Sequence, residues 1–389
     1  MTERLSWIEH ERQLLEQQGL LRVQKTRESP PVAGLVQIDG RQFINFGSND
    51  YLGLASHEAL VRAVEDSIGQ IGFGAGASPL VNGRGTLHRR LERELADFEG
   101  TESALLFPTG FAANVGVIGS LVSKGDTVFS DQLNHASLID GCRLSGAAVS
   151  VYPHLDMQQL ESQLADAAGA RRRLIVTDGL FSMDGDFAKL GELCELSQRF
   201  DAMLMVDEAH ATGVFGANGR GACEMFGVEE LVDVRVGTLS KAFGCIGGFV
   251  TGSKSLIEWI WNNARPQIFS TAQPEVNSAA ALAALKLIRE EPDRRERVAQ
   301  LGQTLRNRLE EHGFEIAGSE SQIVPVILGE NEKTMQVADE LAVNGIYVPA
   351  IRSPSVPVGQ SRLRVSICSD HTEKQLEKLV ENLVLTSAS

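Results

Sequence analysis

Between residues 85 and 251, short runs of apolar and β-branched residues alternate with stretches of helical period. The candidate strands are SALLF (103–107), DTVFS (126–130), AVSVY (148–152), RLIVT (173–177), AMLMV (202–206), VRVG (234–237) and GGFVTG (247–252). Between them, FAANVGVIGSLV, DMQQLESQLADA and AKLGELCELSQRF read as helices. This alternation predicts an α/β fold with a mainly parallel, seven-stranded sheet covered on both faces. From about residue 270 the pattern turns helical (PEVNSAAALAALKLIREE, then DRRERVAQLGQTLRNRLEEH). Strands near 322–328 and 362–367 follow around the helix KTMQVADELAVNG, and a last helix follows His371. The expected division is an N-terminal segment (1–50) packing with a smaller α+β C-terminal domain (291–389), and a large sheet domain (51–290) between them. No internal repeat or low-complexity linker interrupts the pattern.

Composition narrows the class of partner. A hydrophobic share of 43% and a charged share of 22% are ordinary for a globular chain. The formal charge of −15, from 36 Lys+Arg against 51 Asp+Glu, argues against nonspecific binding to nucleic acid or anionic membrane. Cys142, Cys194, Cys223, Cys245 and Cys368 are odd in number, widely spaced and form no CxxC pair, which predicts neither a disulfide framework nor a zinc knuckle. No apolar run reaches the roughly 18 residues of a spanning helix. The start, MTERLSWIEHERQLLEQQ, is amphipathic and charged throughout. The expectation is a mature cytoplasmic protein from residue 1.

In open parallel sheets, ligands bind beyond the carboxyl ends of the strands. The residues following each strand are therefore the candidates for chemistry: Pro108-Thr-Gly110, Asp131-Gln-Leu-Asn-His135, Asp178 through Ser182, Asp207-Glu-Ala-His210 and Thr238-Leu-Ser-Lys241. Lys241 stands among small residues in GTLSKAFGCIGG. A phosphate-loop lysine needs GxxxxGK followed by Ser or Thr; here Ser precedes the lysine and Ala follows it. GFGAGA (72–77) matches GxGxxA in form, yet it follows a helix-like segment instead of a strand, so it reads as a turn.

A lysine that forms a Schiff base with pyridoxal 5'-phosphate needs an acid that keeps the pyridine nitrogen protonated, and Asp207 is placed for it. The phosphate needs a helix N-terminus with small residues, which Thr109-Gly110-Phe111 supplies. His135 could cover the ring. Taken singly, Asp207 reads as a helix cap, His210 as a satisfied interior histidine and Thr109-Gly110 as a turn. With no second His at ligand spacing, a zinc site is not suggested. Their joint order on successive strand ends, with the lysine arriving last, favours the cofactor.

Seven stretches complete a pattern: SNDYLGLASH (48–57), FPTGFAAN (107–114), LNHASLIDG (133–141), TDGLFSMDGD (177–186), MVDEAHATGVFGANGRG (205–221), GTLSKAFGCIGG (237–248) and SRLRVS (361–366). Over essentially the whole length the chain resembles the α-oxoamine synthases, pyridoxal-phosphate enzymes of the aspartate-aminotransferase fold (fold type I). The resemblance implies that Lys241 carries the cofactor aldehyde and shuttles a proton, Asp207 pairs with the pyridine nitrogen and His135 stacks on the ring. His210 and Ser182 would bond the ring's phenolic oxygen. Gly110 and Phe111, with Thr109 at the same helix start, would meet the phosphate, and Thr238 would add its hydroxyl. Ser270 and Thr271 would reach a neighbouring subunit's phosphate, so a homodimer with shared active sites is implied.

For substrates, Arg364, helped by Asn49, matches the family's carboxylate-binding arginine. Arg362 lies on the same strand face and stays open as an alternative. Arg22 and Arg352 are candidates for the acyl-CoA. The implied reaction is decarboxylative condensation of an amino acid with an acyl thioester, on coenzyme A or an acyl carrier protein, to an α-amino ketone. EHERQLLEQQGLLRVQKTRESP, LVNGRGTLHRRLE and PAIRSPSVPVGQSRLRVS look most like the branch that joins L-alanine to a pimeloyl thioester in biotin synthesis. The branch joining glycine to acetyl-CoA is the alternative, with the other branches that use glycine or serine behind it; GCIGG also resembles the branch that uses glycine and succinyl-CoA.

Overall fold

A computed structural model describes residues 3–387. The chain forms two compact units: Asn49–Ser182 with Asp186–Val298, and residues 1–48 with Met183–Gly185 and 299–389.

The larger unit is built on a seven-stranded sheet. Its strand order is Ser103–Phe107, Gly248–Gly252, Val234–Thr238, Met203–Asp207, Arg173–Asp178, Thr127–Asp131, Ala148–Tyr152. The last five are mutually parallel, and only Gly248–Gly252 runs against its neighbours. Every residue of Val234–Thr238 and of Gly248–Gly252 is buried, as expected of strands covered on both faces. The helix Gly110–Leu121 is apolar almost all round and lies in this core. Its Ala113, Val117, Ile118 and Leu121 join a cluster that includes Val128, Leu174, Val176, Met205 and Val236 of the sheet. Register places Asp178 directly opposite Asp207 on adjacent strands, so two carboxylates end side by side at the same sheet edge. GFGAGA is an irregular connection of bends, following the helix Glu58–Ile71, which Gly72 ends at φ +72°.

The smaller unit has two three-stranded sheets. One pairs Leu35–Ile38, Arg41–Asn45 and Ile346–Tyr347; the other has Ser361–Ser366 between Ile323–Gly329 and Ala350–Ile351. Helices Asn331–Val343 and Glu373–Ser387 contribute Leu341, Leu376, Leu379 and Leu383 to a core with Val324, Val326, Leu363 and Val365. His371 is fully buried and stacks on Phe46 at 4.4 Å. Its Nδ1 accepts the Cys368 amide proton, so Nε2 donates to the Asn45 carbonyl at 3.0 Å. Burial holds this ring neutral, down at about 4, although the Asn45 bond pulls the other way.

The units divide after Val298, inside the helix Asp293–Glu311, later than the residue-290 boundary expected from pattern. That helix is continuous across the division, so no Gly or Pro marks the boundary. Met183–Gly185 joins the smaller unit through specific ties. Asp184 pairs with Arg362 at 2.6 Å, and the Gly185 carbonyl accepts from the Glu320 amide at 3.1 Å. Gly185 sits at φ +76°, where a Cβ would run into the Ile323 carbonyl, so only glycine fits. The hairpin Leu35–Asn45 was not anticipated, although its Asp39-Gly40 turn, both residues at positive φ, is the usual sequence sign of one. Cys142, Cys194, Cys223 and Cys368 are buried, Cys245 is half-buried, and none is in a disulfide. Among the described residues no helix is long and apolar enough to cross a membrane.

Candidate active site

The helix Gly110–Leu121 begins immediately after the strand Ser103–Phe107, and Thr109 caps it. Thr109 is extended, and its Oγ1 accepts the Ala112 amide proton at 3.0 Å. Its first turn can be approached because neighbouring chain lies close: a Cβ on Gly110 would press on Thr238, and one on Gly248 would meet the Thr109 carbonyl and the Gly110 backbone. Thr238 Oγ1 donates to the Gly247 carbonyl at 2.8 Å and lies 2.7 Å from Ser240 Oγ. The Phe111 ring is about half exposed, at 47%. The result is an uncovered helix start with hydroxyls beside it, suited to an anion.

Asp207 terminates the strand Met203–Asp207, 4% exposed. Asn114 Nδ2 donates to its Oδ2 at 2.6 Å, and the Ala209 amide donates to its Oδ1 at 2.8 Å. Asn114 follows Gly110 by four residues, so both lie on one side of the helix, and its amide also reaches Ser137 Oγ at 2.8 Å. Asp178 accepts the His135 amide proton at 2.7 Å, and its own N–H goes to Asn134 at 2.9 Å. Burial, and next the nearby Asp207 charge, push Asp178 well above the usual carboxylate range.

His135 caps the helix Ala136–Ser145, its Nδ1 accepting from the Ser137 amide at 3.2 Å. Burial lowers its proton affinity; Lys241 acts in the same direction and Asp207 against it. Its ring is thus a neutral, flat surface. Lys241, half-buried, lies close enough for its charge to bear on both His135 and Asp178. It rides on a turn between two strands, closed by Gly244 N–H to the Lys241 carbonyl (2.9 Å) and Leu239 N–H to the Gly247 carbonyl (2.9 Å). His210 Nδ1 is 2.7 Å from the Tyr51 hydroxyl, which donates to Asn49 Oδ1 at 3.2 Å.

Ser182 is half-buried in the loop after Asp178, and that loop is held by His154. The His154 ring bonds Asp131 at 2.9 Å and Asp186 at 2.8 Å, and its edge meets Phe181 at 4.5 Å. Ser270 is half-buried and Thr271 exposed, beside a Phe269 that is 70% exposed.

In the smaller unit, Arg364 is 6% exposed and its Nη1 donates to Ser366 Oγ at 2.9 Å. Arg362 is occupied by Asp184 and by the Met183 carbonyl, at 2.6 and 3.2 Å. Arg352 donates to the Gly19 carbonyl, and Arg22 is exposed three residues further on.

The larger unit thus brings together Thr109, Gly110, His135, Asp207, Thr238 and Lys241, with Tyr51, Asn49 and His210 forming one chain of hydrogen bonds. Tyr51, Asn114, Asp178 and His154 received no role from sequence. The first three stand inside stretches already singled out, and the four-residue spacing of Asn114 from Gly110 was a usable sign. The set fits pyridoxal phosphate: a helix start relieved of side chains by Gly110 and Gly248, a buried carboxylate at Asp207 that accepts two hydrogen bonds, and the half-buried Lys241 near His135 and Asp178.

Comparison with known proteins agrees with this geometry. The family described as aminotransferase class I and II matches residues 41–383. An 8-amino-7-oxononanoate synthase of Geobacter sulfurreducens is 47% identical over 375 residues, 96% of each chain. A serine palmitoyltransferase from S. paucimobilis, solved with a bound pyridoxal phosphate–myriocin adduct, superposes with a TM-score of 0.94 at 31% identity, covering 100% of this chain and 98% of that one. An 8-amino-7-oxononanoate synthase from Francisella tularensis superposes at 0.79, also at 31% identity, covering 89% and 98%. The chain belongs to the class I and II aminotransferase family of pyridoxal-phosphate enzymes, within its α-oxoamine synthase branch.

Proposed function

We propose that this chain joins L-alanine to pimeloyl-CoA with loss of CO₂ and coenzyme A, forming 8-amino-7-oxononanoate for biotin synthesis. A pimeloyl thioester of acyl carrier protein suits the same chemistry. The observation that carries the reading is the near full-length identity to a synthase of that name, joined to a site that holds Lys241, His135 and Asp207 together.

Bound pyridoxal phosphate supplies an electron sink for the charge left at the substrate α-carbon. The chain does the rest. Lys241 would hold the cofactor aldehyde through Nζ, and would take the substrate α-proton and later return one. Asp207 would pair with the pyridine nitrogen, and the His135 ring would stack on the cofactor ring. Gly110 and Phe111 offer backbone N–H groups to the phosphate at a start shaped by Thr109, with the Thr238 hydroxyl beside them. His210 and Ser182 bond the phenolic oxygen. Ser270 and Thr271 extend to the phosphate of a second copy, which makes the active form a homodimer.

Arg364 holds the α-carboxylate bidentately, with Asn49 assisting. What favours Arg364 over Arg362 is that Asp184 and a backbone carbonyl already engage the Arg362 guanidinium. Arg22 and Arg352 serve the acyl thioester. In the bond changes, the α-carbon attacks the thioester carbonyl, the thiolate leaves, carboxylate departs as CO₂ and a proton returns to carbon. A cytoplasmic setting completes the reading.

Purified protein given alanine and pimeloyl-CoA should release CO₂ and free thiol in equal amounts. Turnover of glycine with acetyl-CoA, and none with alanine and pimeloyl-CoA, would overturn the assignment.

A further inference from the structure

Three separate stretches of the larger unit meet at one carboxamide. Gln273 Nε2 lies 2.9 Å from the Phe107 carbonyl and 2.7 Å from the Pro108 carbonyl. A side-chain amide has two N–H bonds, so each carbonyl receives one. The same amide lies over Gly247: a Cβ there would come within 2.7 Å of Gln273 Nε2 and 3.2 Å of its Oε1. Gly247 also stands at φ +136° and offers its carbonyl to Thr238 Oγ1. Gln273 therefore touches the chain just before Thr109 and the chain just before Gly248, the two backbones that frame the helix start.

The segment carrying Gln273 is itself fixed. His88 Nδ1 accepts the Gly85 amide proton at 3.0 Å, which leaves His88 Nε2 to donate to the Gln273 carbonyl, also at 3.0 Å. One residue earlier, the Ala272 amide donates to the Ala77 carbonyl at 3.0 Å. Ser270 and Thr271 precede this anchor directly. Phe107 and Pro108 lead directly into Thr109, so holding their carbonyls holds the approach to the Gly110 amide.

We propose that Gln273 is a positioning residue for the cofactor phosphate, its carboxamide fixing the approach to the helix start Thr109–Phe111 and tying it to the Ser270–Thr271 segment of the same chain. The inference rests on reading that helix start as the phosphate end of the site. Gln273 would not touch the cofactor; it acts through the two carbonyls.

Full-length protein depleted of cofactor can be titrated with pyridoxal phosphate and, separately, with pyridoxal, which lacks the phosphate. Gln273→Met keeps length but loses both donors; Gln273→Glu keeps shape and turns a carboxylate toward two carbonyl oxygens. Both should bind pyridoxal phosphate about tenfold more weakly or worse, as expected for two lost hydrogen bonds, with pyridoxal affinity unchanged and native circular dichroism. Unchanged pyridoxal-phosphate affinity in both variants would overturn the proposal. Equal weakening toward both ligands would overturn it too, because the role would then be general to the fold. If the wild-type chain binds neither ligand, the cofactor reading falls and this proposal with it.

Discussion

His154 shows how a single side chain can hold a functional loop. Burial disfavours its charged form, but hydrogen bonds to Asp131 and Asp186 outweigh that and push it up to about 10. Its folded affinity for protons exceeds the unfolded one, so its stabilising contribution is complete below about pH 6.5 and fades as pH rises toward 10. His154→Gln should lower unfolding free energy by about 3 kcal/mol at pH 6, and the difference from wild type should close by pH 10 in urea titrations. A constant difference across that range would show that the ring is not charged. The role of His154 was not legible in sequence, since its two partners lie 23 and 32 residues away and come together only in the sheet. For Asn114 the spacing from Gly110 was a sign, but its partner was not, since its contact with Asp207 spans 93 residues. That Asp207, His135 and Lys241 would stand at neighbouring strand ends was legible because the strands were plain from their apolar runs; the roles given to them belong to the proposed function.

At the scale of elements, the turn that carries Lys241 is the most constrained piece of the site. Gly244 stands at φ +63°, and a Cβ there would strike the backbone of Leu54 and Ala55. That neighbouring turn cannot yield easily, because Asp50 holds it by accepting from the Leu54 and Ala55 amides at 2.8 and 3.0 Å. Gly244→Ala should therefore cost about 2–3 kcal/mol, from left-handed strain plus overpacking. It should also lower cofactor occupancy, read from the cofactor's absorbance after gel filtration; a fully occupied, equally stable variant would contradict this account. Strand periodicity showed where the turn begins and ends. It could not show what the turn packs against, since that depends on a segment nearly 190 residues earlier in the chain.

Among the described residues each of the two units has its own buried core, one on the seven-stranded sheet and one on two three-stranded sheets. Trp259 and Trp261 report on the larger: Trp259 donates its ring N–H to the Ser120 carbonyl at 2.8 Å, and Trp261 packs on the sheet cluster. Chemical unfolding should depart from two-state behaviour, with tryptophan fluorescence and far-ultraviolet circular dichroism giving separate midpoints. Pyridoxal phosphate at a hundred times its dissociation constant should stabilise the fluorescence transition by about 2.7 kcal/mol. Coincident midpoints with and without cofactor would mean the two cores unfold as one.

The cysteines described above have a practical consequence for anyone who wants to watch this protein move. Burial pushes the thiols of Cys142 and Cys245 up to about 12 and that of Cys194 up to about 11, and drives Cys223 well above its ordinary value. These sulfurs therefore carry almost no thiolate at neutral pH, and Cys368 is sealed in the interior. A single cysteine introduced on the surface would be the fast-reacting thiol, so a maleimide dye or spin label could be attached at a chosen place without first removing the native five.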